Sequence, residues 1–150
     1  MGIRRKSRES ALQFLFQDDF TAEDAVTGDL QERFDMFCDL YEVSRKARPY
    51  TLELLQGIFK NREHVDSLIR QCAKNWRLER IAITDRNLLR IGVFEMLYCD
   101  DVPDQVAINE AVEIAKRYGS DESPSFVNGI LDAVKTRIQV SGDGSESPGP

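Results

Sequence analysis

The sequence predicts an all-α fold, a compact bundle of about seven helices in 150 residues. Apolar residues return at spacings of three and four along most of the chain, the period of a helix with one buried face. The period-two alternation of a half-buried strand is nearly absent. Pro49, Pro103 and Pro124 stand at expected helix starts, where a missing N–H costs nothing, and Gly119 stands just past an expected end.

Ala11, Leu12, Leu15 and Phe16 form the stripe of a first helix that ends near Asp19 and starts either at about Ser7, a candidate cap, or earlier in the basic arm. Thr21 to Asp29 reads as a loop broken by Gly28. Leu30, Phe34, Phe37, Cys38 and Tyr41 mark a second helix, about Asp29 to Ala47. A third starts at Pro49 with Tyr50, Leu54, Leu55 and Ile58. A fourth, about Arg62 to Asn75, carries Val65, Leu68, Ile69 and Cys72, and Trp76 is expected to pack at its end. The fifth begins at Thr84, a candidate N-cap, with Asp85 set against the helix dipole. It is apolar over so wide an arc that it should be central. The sixth runs from Pro103 to Gly119, which should close it in the left-handed conformation, and places Ala107, Ala111 and Ala115 on one small face. The seventh has Ser123 as cap, Pro124 first, then Val127, Ile130, Leu131, Val134 and Ile138. Residues 141–150, SGDGSESPGP, read as a disordered polar tail behind one domain over 1–140.

Composition narrows the function. No apolar run reaches the roughly 20 residues of a membrane span, and no signal peptide opens the chain, so the expected location is the cytoplasm. Cys38, Cys72 and Cys99 are odd in number and widely spaced, without a disulfide or metal pattern, and His64 stands alone. Phosphate loops, HExxH, GxSxG and other catalytic motifs are missing. Neither an enzyme nor a cofactor is expected.

Charge is segregated. The net charge is −6, yet Arg4, Arg5, Lys6 and Arg8 are cationic, which leaves −10 on the other residues. No Lys or Arg occurs from Glu9 to Glu32. A cationic patch on an acidic body holds a polyanion at one place and repels it elsewhere. On a helix, Arg4 and Arg8 share a face. Such a run either binds phosphates or merely keeps a protein soluble. Phe16 and Phe126 lie at the edges of their stripes, where an aromatic ring serves either as core or as a stacking surface for bases. Thr84, Asp85 and Arg86 place a cap, a carboxylate and a cation in a row; they either cap a helix or read base edges.

Three segments resemble the NusB family of bacterial transcription antitermination factors. VAINEAVEIAKRYG (106–119) followed by SFVNGIL (125–131) is similar to the family's C-terminal half. RRKSRESALQFLFQ (4–17) resembles its basic arm and first helix, and LLRIGVFEMLYCDDVP (88–103) its central helix. The resemblance spans about residues 4 to 138, and residues 20 to 75 match only in pattern.

The resemblance implies two helical subdomains, the first of about three helices. It implies binding to the single-stranded boxA element of nascent ribosomal RNA leader transcripts. It also implies pairing with NusE, a small-subunit ribosomal protein, in an antitermination complex on RNA polymerase. Arg4, Arg5, Lys6 and Arg8 would then contact phosphate, and Phe16 and Phe126 would lie at the RNA. The family often has Tyr where Phe16 stands, so the hydroxyl is lost here. Thr84, Asp85 and Arg86 match an RNA-facing helix start, with Arg90 a phosphate ligand one turn on. Glu122, or Asp121 beside it, matches an acidic position near RNA, and Asn128 lies in the FVNG motif. Two alternatives stay open: a protein–protein module, including a homodimer burying the RNA face, and the RNA-binding front domain of an rRNA methyltransferase.

Overall fold

The computed structural model describes residues 2–20 and 29–145, the last four by backbone alone. Seven α-helices and one short 3-10 turn appear among them, with no strand. The chain divides into two compact units, Met1–Lys60 and Asn61–Pro150. The expected loop at 21–28 and the end of the expected tail, 146–150, lie outside the described residues.

The first unit holds α1 (Gly2–Asp19), α2 (Leu30–Tyr41) and α3 (Arg48–Lys60). Its core is built on Phe14, 4% exposed, rather than on Phe16, which the predicted stripe had included. Phe14 meets Phe37 edge-on at 5.3 Å, with Phe34 at 6.5 Å and Phe59 at 6.4 Å. Near-perpendicular ring pairs set positive edges against negative faces. The Arg33 guanidinium lies 5.2 Å from the centre of the Phe14 ring and is ion-paired with Asp18. Leu54, Leu55 and Ile58 of α3 complete the interior.

Asp29 starts α2 through a capping box: its carboxylate accepts from the Glu32 N–H, while Glu32 accepts from the Asp29 N–H. The helix ends at Tyr41, earlier than predicted. Glu42 turns left-handed at φ 51°, and its N–H donates back to the Cys38 carbonyl. A turn in which the Ala47 N–H donates to Ser44 then leads into α3. α1 starts at Gly2, so Ser7 is an interior helical residue and not a cap.

The second unit holds α4 (Arg62–Cys72), the 3-10 turn Leu78–Arg80, α5 (Ile83–Tyr98), α6 (Asp104–Tyr118) and α7 (Ser123–Ser145). As predicted, α5 is central: residues 87–95 are all buried, and α4, α6 and α7 pack on it. Gly92 makes the α5–α7 approach possible, since a Cβ there would stand 2.8 Å from a methyl carbon of buried Leu131. Ala107, Ala111 and Ala115 form the buried small face of α6.

Three caps differ from expectation. α5 begins at Ile83 behind Ala82, which leaves Thr84 inside the first turn. Gly119 is extended at φ −98°, not left-handed. A side chain there is excluded by crowding instead, because a Cβ would lie 2.5 Å from Ser123. Ser123 is the first residue of α7, and its buried hydroxyl accepts from the Ser120 N–H at 2.9 Å. α7 then runs to Ser145, five residues into the stretch expected to be a tail.

Candidate nucleic-acid interface

The basic arm forms the first two turns of α1. Arg4 and Lys6 are exposed and Arg5 is half-buried. Small Ser7 faces α3, and its hydroxyl lies 2.8 Å from the Ala47 carbonyl and 3.0 Å from that of Ile3. Thr51 answers from α3, its hydroxyl 2.8 Å from the Ala47 carbonyl and 3.3 Å from that of Ser7. All of these groups are buried or half-buried, so the bonds fix the arm's rotation on α3 with little competition from water. That rotation sets Arg4 over Tyr50, 4.2 Å from the ring centre, and Arg8 at 5.8 Å. Arg8 is only 4% exposed. Its burial corrects the expectation that all four cations stand open to phosphate: Arg8 mainly packs, and Arg4, Arg5 and Lys6 carry the accessible charge.

Farther along α1, Phe16 is 41% exposed and pairs edge-on with Phe20 at 5.1 Å. Of the two readings left open for Phe16, core or surface ring, the structure gives the surface ring.

In the second unit, the first turn of α5 carries Thr84, Asp85 and Arg86. Thr84 and Arg86 are half-buried, and an Arg86 terminal N–H donates to the Leu78 carbonyl, which ties the 3-10 turn to α5. Asp85 is buried, and its Oδ1 meets no hydrogen-bond donor among the described residues. An unsatisfied buried acceptor costs roughly 1–3 kcal/mol. The positive end of α5 offsets part of that.

Arg90 is placed differently from its expected role. It is 5% exposed and held by Asp66 of α4, with Nε 2.9 Å from Oδ1 and a terminal nitrogen 3.1 Å from Oδ2. Its other terminal nitrogen donates to Asn87 at 3.0 Å, and Arg62 approaches Asp66 from the solvent side at 3.6 Å. A guanidinium committed to a bidentate carboxylate in the interior has no fork left for phosphate. Arg90 therefore joins α4 to α5. Sequence reading passed over Asp66, although a carboxylate inside the Val65–Leu68–Ile69 stripe was the available signal.

At the start of α7, Asp121, Glu122 and Asn128 are exposed and Phe126 is half-buried. Phe126 packs edge-on against Trp76, with centres 5.7 Å apart and planes at 74°. Trp76 lies just beyond the end of α4 and packs there on Phe126, but it is not buried: it is 54% exposed. The helix stops at Cys72, and a turn in which the Trp76 N–H donates to the Ala73 carbonyl swings the indole outward. Phe126, Trp76 and, through Leu78, Arg86 thus belong to one connected stretch of this unit. Tyr50 and Trp76 are the aromatic residues that pattern reading left out of the site.

A model described as the NusB family matches residues 5–136. The chain belongs to the NusB family. The match takes in Arg5, Lys6, Phe16, Asp85, Phe126 and Asn128, so the cationic arm from Arg5 on and the α5 and α7 starts fall within NusB sequence. A transcription antitermination protein NusB of Desulfotalea psychrophila is 60% identical over 140 residues, covering 93% of this chain and 99% of that protein. The solved NusB structure of T. maritima is 38% identical, with a TM-score of 0.77 over 89% of this chain and 90% of the other. A structure of antitermination factors NusB and NusE in complex with dsRNA shares the fold, with a TM-score of 0.77 at 23% identity, covering 91% and 98%. No helix among the described residues is long and apolar enough to cross a membrane.

Proposed function

We propose that the protein is a transcription antitermination factor that binds the boxA element of nascent ribosomal RNA transcripts together with NusE. It acts in the cytoplasm and performs no chemistry. The observation that carries this reading is the family match across residues 5–136, 60% identity to a transcription antitermination protein included. The exposed cations of a helical arm on an acidic chain support it.

Each part has a physical role. Arg4, Arg5 and Lys6 neutralise phosphates and supply salt-sensitive affinity. Phe16 and Phe126 offer ring faces to unpaired bases, the usual route to single-stranded RNA recognition. Asp85, at the start of α5, accepts from a base amino group, which gives discrimination. Thr84 and Arg86 flank Asp85 in the first turn of α5, and Glu122 and Asn128 lie beside Phe126 along the chain. So small a set of contacts gives modest affinity alone. A bound NusE, itself joined to RNA polymerase, raises the effective concentration of the assembly.

The test is a titration of labelled boxA RNA and of a scrambled RNA, each with and without NusE. Preference for boxA, strengthened by NusE, is expected. Equal binding of both RNAs with no effect of NusE would overturn the reading.

A further inference from the structure

Residues 74–80, KNWRLER, combine features that the RNA contacts proposed above do not use. Lys74, Arg77 and Arg80 are exposed, and none is in an ion pair with a described residue. Only Glu79 opposes them, so this segment is cationic within a chain of net charge −6. In their midst Trp76, the sole tryptophan, leaves about half of its surface open. Burying an indole is strongly favourable, and a chain that only needed to fill space would turn it inward. Here the Ala73–Trp76 turn holds it out. Edge-on contact with Phe126 at 5.7 Å also fixes the indole plane, and perpendicular packing leaves ring faces uncovered.

We propose that Trp76 stacks an RNA base, with Lys74, Arg77 and Arg80 holding the phosphates on either side, so that the segment is a second strand-binding element beside Phe126. The inference rests on the RNA-binding reading above. It adds a base position and a cationic stretch that the arm does not supply. An aromatic ring flanked by cations suits single-stranded RNA, because every base has a face to stack and every linkage a charge. A rigid indole held before the ligand arrives loses little side-chain freedom on binding.

One experiment separates the inference from the reading beneath it. A dye on a boxA RNA oligonucleotide reports binding, while Trp76 emission, excited at the red edge where Phe and Tyr do not absorb, reports contact at this one residue. The expected result is that emission changes with the same midpoint as the dye signal. Trp76→Ala should weaken binding on the order of tenfold, the usual size of one lost base–aromatic stack. Trp76→Phe should recover most of the loss and Trp76→Leu little. An oligonucleotide with the same backbone but without bases should bind the wild type and Trp76→Ala alike. Normal dye binding with unchanged emission and unchanged Trp76→Ala affinity would overturn the inference and leave the RNA-binding reading standing. No dye response at all would overturn both.

Discussion

The Arg4 guanidinium lies 4.2 Å over the Tyr50 ring, one helical turn before Arg8, which reaches the same ring at 5.8 Å. A cation over an aromatic face is worth about 0.5–1 kcal/mol when exposed and ~2 when desolvated. The larger effect is on geometry, since one ring fixes the direction of a long, otherwise mobile arginine. Tyr50→Phe, which keeps the ring, should bind boxA RNA within about twofold of wild type, as expected for an unchanged cation–π contact. Tyr50→Leu should lose roughly three- to tenfold, the equivalent of that contact. Arg4→Ala should then cost less in the Tyr50→Leu background than in the wild type, because the ring no longer aims the guanidinium, and a double-mutant cycle on RNA affinity measures this coupling.

The Asp66–Arg90 pair should behave as structure and not as RNA contact. Removing one partner of a buried ion pair strands the other charge, typically at 3–5 kcal/mol. Asp66→Ala should therefore lower unfolding stability strongly, and Arg90→Met, which keeps apolar volume, should also destabilise by stranding Asp66. Urea denaturation measures both. Asp66→Ala/Arg90→Met together should be milder than the sum of the two. If Arg90→Met left stability unchanged while abolishing RNA binding, the side chain would be a ligand after all.

These two cases show what the sequence disclosed. The seven helices and the central α5 were legible because helical periodicity and the Pro and Ser/Thr/Asp punctuation are local, whereas the three-helix first unit came only from the family resemblance. The places where reading failed depend on tertiary partners. Phe14 and Phe16 sit two apart at a stripe's edge, and only the positions of Phe34, Phe37 and Phe59 decide which goes inside. Arg90 and Arg4 look alike as letters, and their fates differ because Asp66 lies beside one and Tyr50 beneath the other. Trp76 was expected to pack at the end of α4, and its partner there, Phe126, together with the outward turn at Ala73, is visible only in the fold.

Gly92 gives a direct check on the second unit. Leu131 is fully buried and stands 2.8 Å from where a Cβ would be. Gly92→Val should force α5 from α7 or strain Leu131, at about 1–3 kcal/mol of overpacking. Adding Leu131→Ala to Gly92→Val should recover part of the loss, because the truncated side chain frees the space. Thermal denaturation of the three variants reads this.

Burial pushes the Cys72 thiol above its ordinary value, and Arg137 and Lys74 pull it down less strongly. The folded chain thus holds this proton more tightly than the unfolded chain. The resulting stability is full below the unfolded thiol pKa and fades as pH rises through the folded one. Cys72 should be alkylated more slowly in the native protein than in urea at the same mildly alkaline pH. Cys72→Ala should flatten the fall in stability at high pH. Mass spectrometry of timed alkylation follows the first effect and denaturation against pH the second.

The central claim is that an acidic helical protein holds RNA through the exposed cations of its first helix. Its most direct measurement is boxA affinity against salt for wild type and for Arg4/Arg5/Lys6→Ala, a variant that spares buried Arg8. Each phosphate neutralised on a single strand contributes about −0.7 to the slope of log affinity against log salt. The variant should bind more weakly at moderate salt, with a slope shallower by up to about 2 if each of the three cations meets one phosphate. Equal affinity and equal slope in the two proteins would contradict the account.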